Sequence, residues 1–277
     1  MQIFETPGSV SLQIRLPSGR VVVTTADEPR TTVDVSRRGS DAVDDIEIRS
    51  SERAGGHLIT VEQRDRIRWG PIQIMWGGDV EVRVTCPPGS NLDFSGASAG
   101  IRVEGDLGEV SVKTASGDVK LGDVAHRLQL KTASGDVAIG EIAQGGQIVT
   151  VSGDVELAGF SGELATRTIS GDVEIGYVRG PVTVNTTSGD ATLRAIGAMD
   201  DGEVRVQSVS GDVRIGVGRG TRVWIEAVSV SGDLESDLGL ADQPEEAQDE
   251  SGAVVPLHVK TVSGDVNIGR AAEAYSS

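Results

Sequence analysis

The residues of this chain best placed to do chemistry together are eight aspartates, each closing a copy of one tripeptide. Ser-Gly-Asp begins at Ser116, Ser134, Ser152, Ser170, Ser188, Ser210, Ser231 and Ser263. The first four intervals are all 18 residues, and the next are 22, 21 and 32. Carboxylate oxygens in a row can hold a hard divalent cation. Asp118, Asp136, Asp154, Asp172 and Asp190, in the evenly spaced copies, are the metal candidates. The competing reading is structural: each carboxylate accepts corner amides in an Asx-type turn. Carboxylates stacked about 4.8 Å apart repel by roughly 1 kcal/mol per neighbour in water. Such a column therefore needs amides, hydroxyls or cations to compensate it. The turn reading needs only the chain itself and is preferred, with no cofactor expected.

Other candidates are sparser. Arg64, Arg66, Arg68 and Trp69, followed by Trp76, place guanidinium groups on one strand face beside an indole. That face could meet an anionic lipid or an acidic partner, or it could be a strand edge guarded by charge, which is the favoured reading. His57, His126 and His258 are scattered, and none sits in a recognisable nucleophile context. Cys86 is the only cysteine, which excludes an intrachain disulfide and any zinc site built on several thiolates. The chain is therefore expected not to be an enzyme.

The elements that must position the aspartates follow from the columns around the tripeptide. Six residues before each serine stand Val110, Leu128, Gly146, Leu164, Val182, Val204, Ile225 and Leu257. Four before it stand Val112, Leu130, Ile148, Thr166, Val184, Val206, Ala227 and Val259, and two before it every copy has a Ser or Thr hydroxyl. Directly after the Asp come Val119, Val137, Val155, Val173, Ala191, Val213, Leu234 and Val266. Apolar and polar residues thus alternate on both sides of the corner, the period-2 signature of a half-buried strand. Like residues at a fixed period are what a coil requires when each residue sits above its equivalent in the previous turn. The fold class predicted is all-β: a single-stranded parallel β-helix, or β-solenoid, with coils of about 18 residues and a handedness that the pattern leaves open. The hydroxyl column lies in phase with the inward apolar columns. It is therefore expected to be buried, which argues against an ice-binding array.

Degenerate copies continue toward the N-terminus. Leu92, Phe94, Ser98, Ile101 and Val103 keep the columns with Gly100 at the Asp position, and Leu12, Ile14, Ser18, Gly19, Val21 and Val23 keep them with Arg20 there. Residues 1–91 read as an irregular, strand-rich start or cap, and residues 92–277 as the regular repeat, the two forming one continuous domain of about ten rungs. The polar, acidic stretch 238–252 reads as a loop between the last two repeats. Net charge is −17, with 11 basic and 13 acidic residues in 1–91 against 14 and 29 in the remainder. That balance argues against nucleic acid as a partner. No stretch approaches the roughly 18 apolar residues of a membrane span. The opening Met-Gln-Ile-Phe-Glu-Thr-Pro has neither a basic start nor an apolar run. A cytoplasmic location is expected, with envelope association by a non-standard route as the alternative.

The run Lys-Thr-Ala-Ser-Gly-Asp-Val-Ala-Ile-Gly at 131–140 and its copies resemble the bacterial putative-adhesin family of β-strand-repeat proteins, a family of unknown function. The resemblance covers most of the chain, including the strand-rich part leading into Val84–Gly89 and the loop before the final repeat. It implies a β-solenoid found in bacterial cytoplasmic or envelope-associated proteins, some linked to envelope stress responses, and it carries over no catalytic residue. The reading is an adhesin-like interaction module presenting an acidic face to a protein or cell-envelope component. A cytoplasmic scaffold that self-associates through its end rungs is the alternative, and a carbohydrate-active β-helix enzyme is the least favoured.

Overall fold

The computed structural model describes residues 1–37, 45–53, 56–64, 80–238 and 254–272. These form strands, bends and turns, with no helix among the described residues. The chain divides into two compact units, Met1–Gly140 and Glu141–Ser277.

The first unit holds β1 (Gln2–Glu5), β2 (Ser11–Arg15), β3 (Ser18–Thr25), β4 (Arg30–Arg37), β5 (Ile46–Arg53), β6 (Gly56–Gln63) and β7 (Val80–Cys86). It continues through β8 (Asn91–Ser95), β9 (Ser98–Glu104), β10 (Val110–Lys113), β11 (Val119–Leu121), β12 (Leu128–Lys131) and β13 (Val137–Ile142), the last running just past its end. One sheet has the order β1-β4-β7-β3-β9-β11-β13 and the other β5-β6-β2-β8-β10-β12. The second unit holds β14 (Gly145–Val149), β15 (Val155–Phe160), β16 (Glu163–Arg167), β17 (Val173–Val178), β18 (Val182–Ser188) and β19 (Ala191–Ile196). After these come β20 (Val204–Ser210), β21 (Val213–Val217), β22 (Arg222–Ser231), β23 (Leu234–Ser236), β24 (Val254–Ser263) and β25 (Val266–Arg270). Its sheets run β14-β16-β18-β20-β24-β22 and β15-β17-β19-β21-β25-β23.

The architecture is an all-β solenoid of long parallel strands in two sheets, with no closed barrel. Successive rungs pair in parallel, column on column: Val110 with Leu128, Val112 with Leu130, Val173 with Ala191, Val182 with Val204. The inward columns are buried, with Leu128, Leu130, Leu164, Val184, Val206 and Val213 all fully enclosed. Branched aliphatics fit this interior because they pack well on a pleated surface, and a sheet buried on one face selects for strict alternation.

Chain order and rung order part company at both ends. In the second unit β24 pairs with β20 on one side and with β22 on the other, and β25 likewise lies between β21 and β23. The last Ser-Gly-Asp copy is therefore the penultimate rung, and the copy before it in sequence is the outermost. Reading the repeats in order predicts the reverse. In the first unit β2 lies between β6 and β8, and β3 between β7 and β9, so the first rung in sequence is again not the outermost. The purely parallel coil expected from the repeat also gives way here. β4 pairs antiparallel with β1 and β7, and β5 antiparallel with β6. These strands cover edges that would otherwise expose free amides and carbonyls.

Candidate functional site

Each Ser-Gly-Asp corner joins a strand of one sheet to a strand of the other, and glycine is required there on two counts. At Gly171 φ is +134°, and an added Cβ would lie 2.3 Å from the carbonyl oxygen of Gly153 in the rung below. At Gly211 φ is +146° and the corresponding approach to Gly189 is 2.2 Å. Left-handed backbone and close stacking together leave no room for a side chain.

The aspartate that follows is held by the neighbouring rung, which corrects the Asx-turn expectation. Oδ1 of Asp154 accepts the backbone N–H of Asp172 at 2.9 Å, and Oδ1 of Asp172 accepts that of Asp190 at 2.8 Å. The ladder continues from Asp190 to the Asp212 amide at 2.8 Å, from Asp212 to Asp265 at 3.0 Å, and from Asp265 to Asp233 at 2.9 Å. In the first unit Oδ1 of Asp118 accepts the Asp136 amide at 3.2 Å. A charge-assisted bond of this kind offsets the repulsion between stacked carboxylates.

A cation enters the ladder at Arg214. Arg214 contacts Oδ2 of Asp190 at 2.8 Å and Oδ2 of Asp212 at 3.0 Å. Burial pushes the Asp190 carboxyl up, but the Arg214 hydrogen bond, the Asp212 amide and the Arg214 charge outweigh it and hold the group below the usual value. Among the described residues no group of three or more His, Cys, Asp or Glu side chains is arranged to hold a metal ion. One oxygen of each bonded carboxylate faces a neighbouring amide, so the candidates Asp118 and Asp136 of the first unit, and Asp154, Asp172 and Asp190 of the second, follow successive rungs within each unit.

The hydroxyl column is buried as its phase requires: Thr114, Thr132, Thr150, Thr168, Thr186, Ser208 and Thr261 all lie inside. Its members are not equally satisfied. Thr114 accepts the Gly117 amide, while Thr132 and Thr150 donate to the carbonyls of Ser134 and Ser152 at 3.2 and 3.3 Å. The hydroxyls of Thr168, Thr186, Ser208 and Thr261 are buried and meet no partner.

Of the arginine cluster, Arg64 is described and Arg66, Arg68 and Trp69, like Trp76, lie outside the described residues. Arg64 is tied to Glu47 at 2.7 Å, and Glu47 also pairs with Arg49. Most of the acidic stretch at 238–252 also falls outside the described residues. His258 sits between Glu226 (2.9 Å) and Glu203 (3.5 Å), with the Trp224 ring edge-on at 5.7 Å. The Cys86 thiol is buried, and that burial pushes it up to about 11, so it stays protonated near neutrality.

Sequence reasoning missed two features. Arg214 reads as one outward strand residue in the alternation, and only the stacking of its rung on the preceding copy brings it to Asp190. The second is a series of exposed apolar residues directly before five of the six corner serines of the second unit, Val151, Ile169, Val209, Val230 and Val262, with Thr187 at the sixth. The sequence carries the signal, because the same column reads Ala115 and Ala133 in the first unit.

With parallel rungs, a repeated corner and two sheets established, a family comparison places the chain. The Toastrack DUF4097 model matches residues 10–269. The chain belongs to the Toastrack DUF4097 family. A solved structure named a putative adhesin from Parabacteroides distasonis superimposes with a TM-score of 0.51 at 12% identity, covering 96% of this chain and 95% of that one. Another protein so named, from Bacteroides fragilis, gives a TM-score of 0.45 at 14% identity over 96% and 95%. The Parabacteroides likeness supports the shared Toastrack fold alone. No curated protein matches the chain.

Proposed function

We propose that this Toastrack protein is a non-enzymatic, adhesin-like interaction module that presents its aspartate ladder to a protein or cell-envelope component. The observation that carries the reading is the double use of each ladder carboxylate. In Asp154, Asp172 and Asp265 one oxygen is fixed by the amide of the next rung while the carboxylate remains exposed, and Asp233 on the outermost rung adds a further exposed carboxylate. A rigid row of like charge at rung spacing costs little further entropy on binding and favours a cationic, extended partner. The names of the solved structures, putative adhesins, agree with such a role.

The test uses the isosteric change to asparagine, which keeps the acceptor oxygen and removes the charge. Asp154→Asn combined with Asp172→Asn should melt within a few degrees of the parent and lose co-sedimentation with isolated cell envelopes. Unchanged co-sedimentation by a folded double variant would sink the reading. Treating intact source cells with protease and blotting for the chain tests where such contact could occur.

A second reading is favoured by the outermost rung of the second unit. β22 is ten residues long, pairs on one side only among the described strands, and exposes Trp224, Val228 and Val230. An unguarded apolar edge of that length is a template for another strand, which supports self-association. A particle mass that stays monomeric at high concentration would exclude it.

A further inference from the structure

The first unit carries a hollow in which the aspartate column fails. Glu81, Arg20, Gly100 and Asp118 stand side by side on the outer face of neighbouring strands β7, β3, β9 and β11, at the position the repeat elsewhere fills with aspartate. Two residues further along each strand the parallel column reads Arg83, Val22, Arg102 and Lys120. Together they line an open concavity of about 670 Å³.

At position 100 the demand for glycine is milder than at the corners. Its φ is not in the left-handed region, and an added Cβ would come 3.3 Å from the Asp118 carbonyl oxygen, a tight contact that a shift of a few tenths of an ångström would relieve. At Gly117, one rung away, an added Cβ would come within 2.0 Å of the Ala99 carbonyl oxygen.

The charges around this space differ from those of the molecule as a whole. Arg83 is paired with Glu81 at 3.1 Å and Arg102 with Glu104 at 3.7 Å. Arg20 and Lys120 are exposed and make no ion pair or hydrogen bond among the described residues. In a chain of net charge −17, two uncommitted cations flank a hollow. Their backbone positions stand two rungs and one column apart, about 12 Å by strand spacing and rise, which lets the two side chains engage separate acidic groups of one extended ligand. Glu81, Glu104 and Asp118 lie among them, so a densely charged polymer such as a nucleic acid would meet repulsion. The same carboxylates, with the exposed hydroxyls of Ser98 and Ser116, can accept and donate hydrogen bonds to a polyhydroxylated ligand.

We infer that this hollow is a binding site for an acidic polysaccharide, a chain of sugars whose carboxylates are spaced widely enough to reach Arg20 and Lys120 separately. The site lies apart from the aspartate ladder of the second unit and does not depend on the role proposed for it. The sugar chain lies across the strands, along the two columns, with one carboxylate on each free cation and its hydroxyls over Gly100.

The experiment is calorimetric titration of the full chain with a galacturonate hexamer, with maltohexaose as the neutral control and polyphosphate as the dense polyanion. Saturable binding of the galacturonate hexamer is expected, weakening as salt rises, with no binding of maltohexaose. Arg20→Gln combined with Lys120→Gln should lower the affinity at least tenfold. Gly100→Asp, which restores the residue of the repeat, should do the same while leaving the melting temperature within a few degrees. No saturable binding, equal binding of maltohexaose, tighter binding of polyphosphate, or full affinity in folded Gly100→Asp would each overturn the inference. Envelope binding lost only in the asparagine variants of the second unit leaves this site to be judged by the titration alone.

Discussion

The aspartate position of the repeat is filled in one unit and broken in the other. In Glu141–Ser277 every rung offers a carboxylate to the next amide, from Asp154 to Asp233. In Met1–Gly140 the corresponding position reads Glu81, Arg20 and Gly100 before Asp118 begins the regular series. The strands pair equally well in both, so the aspartate is not what makes a rung. The difference separates two kinds of residue within one motif. The glycine of the Ser-Gly-Asp corner answers to backbone geometry and close stacking, although Ala99 stands at its position in β9. The aspartate tunes an edge that can be given up where another surface property is wanted.

The largest effect that would break this comparison concerns glycine. Gly189→Ala forces a side chain onto a φ of +146° and to 2.2 Å from the Gly171 carbonyl oxygen, and should cost roughly 3 kcal/mol or more. Gly100→Ala, with an approach of 3.3 Å and no left-handed φ, should cost clearly less. Chemical denaturation of both variants checks the pair, and equal losses would mean that Gly100 is structural after all.

Next come the buried hydroxyls. Thr186→Val removes an unpaired polar atom from the interior and should stabilise by about 1 kcal/mol. Thr132→Val removes a donor to the Ser134 carbonyl and should destabilise by a similar amount. If both variants shift the denaturation midpoint the same way, the inequality along the column is wrong.

Asp190→Ala should cost about 1 kcal/mol through the lost acceptor for the Asp212 amide, whereas Asp190→Asn retains that acceptor and should cost less. The exposure of the group keeps both values small.

The smallest effect is in the pH dependence. The folded-state Asp190 carboxyl is held below its ordinary value of 3.8 despite the burial that opposes this. Its contribution to stability is therefore complete above the unfolded value and is lost as pH falls through the lower folded one. Denaturation midpoints should be level near neutrality and decline below about pH 4. Arg214→Gln should make that decline shallower. A slope unchanged by Arg214→Gln would show that the guanidinium does not set the Asp190 titration.

Much of this was legible in the chain because a solenoid repeats its local environment. The columns at Leu128, Leu130 and Val137 are buried where alternation places them. The hydroxyls at Thr132 and Thr168 go inside with them, as their phase demands. Where columns lose their neighbours the pattern misleads. Ile225 and Ala227 share the inward phase but are only half-buried, because they belong to the outermost rung of their unit. The Asp154 acceptor was assigned to its own turn, although the amide it binds lies 18 residues away in sequence.

What the sequence determined by itself is the rung: its period, its inward faces, its glycine corner and the burial of its hydroxyls, all consequences of side-chain alternation and backbone sterics acting within about one coil. Only the tertiary structure decided which rung stacks on which. Every rung offers the same ladder of amides and carbonyls, so nothing local tells β24 that it belongs between β20 and β22, or β2 that it belongs between β6 and β8. That choice rests on packing between segments distant in sequence, and with it come the exposed edge of β22 and the hollow beside Gly100.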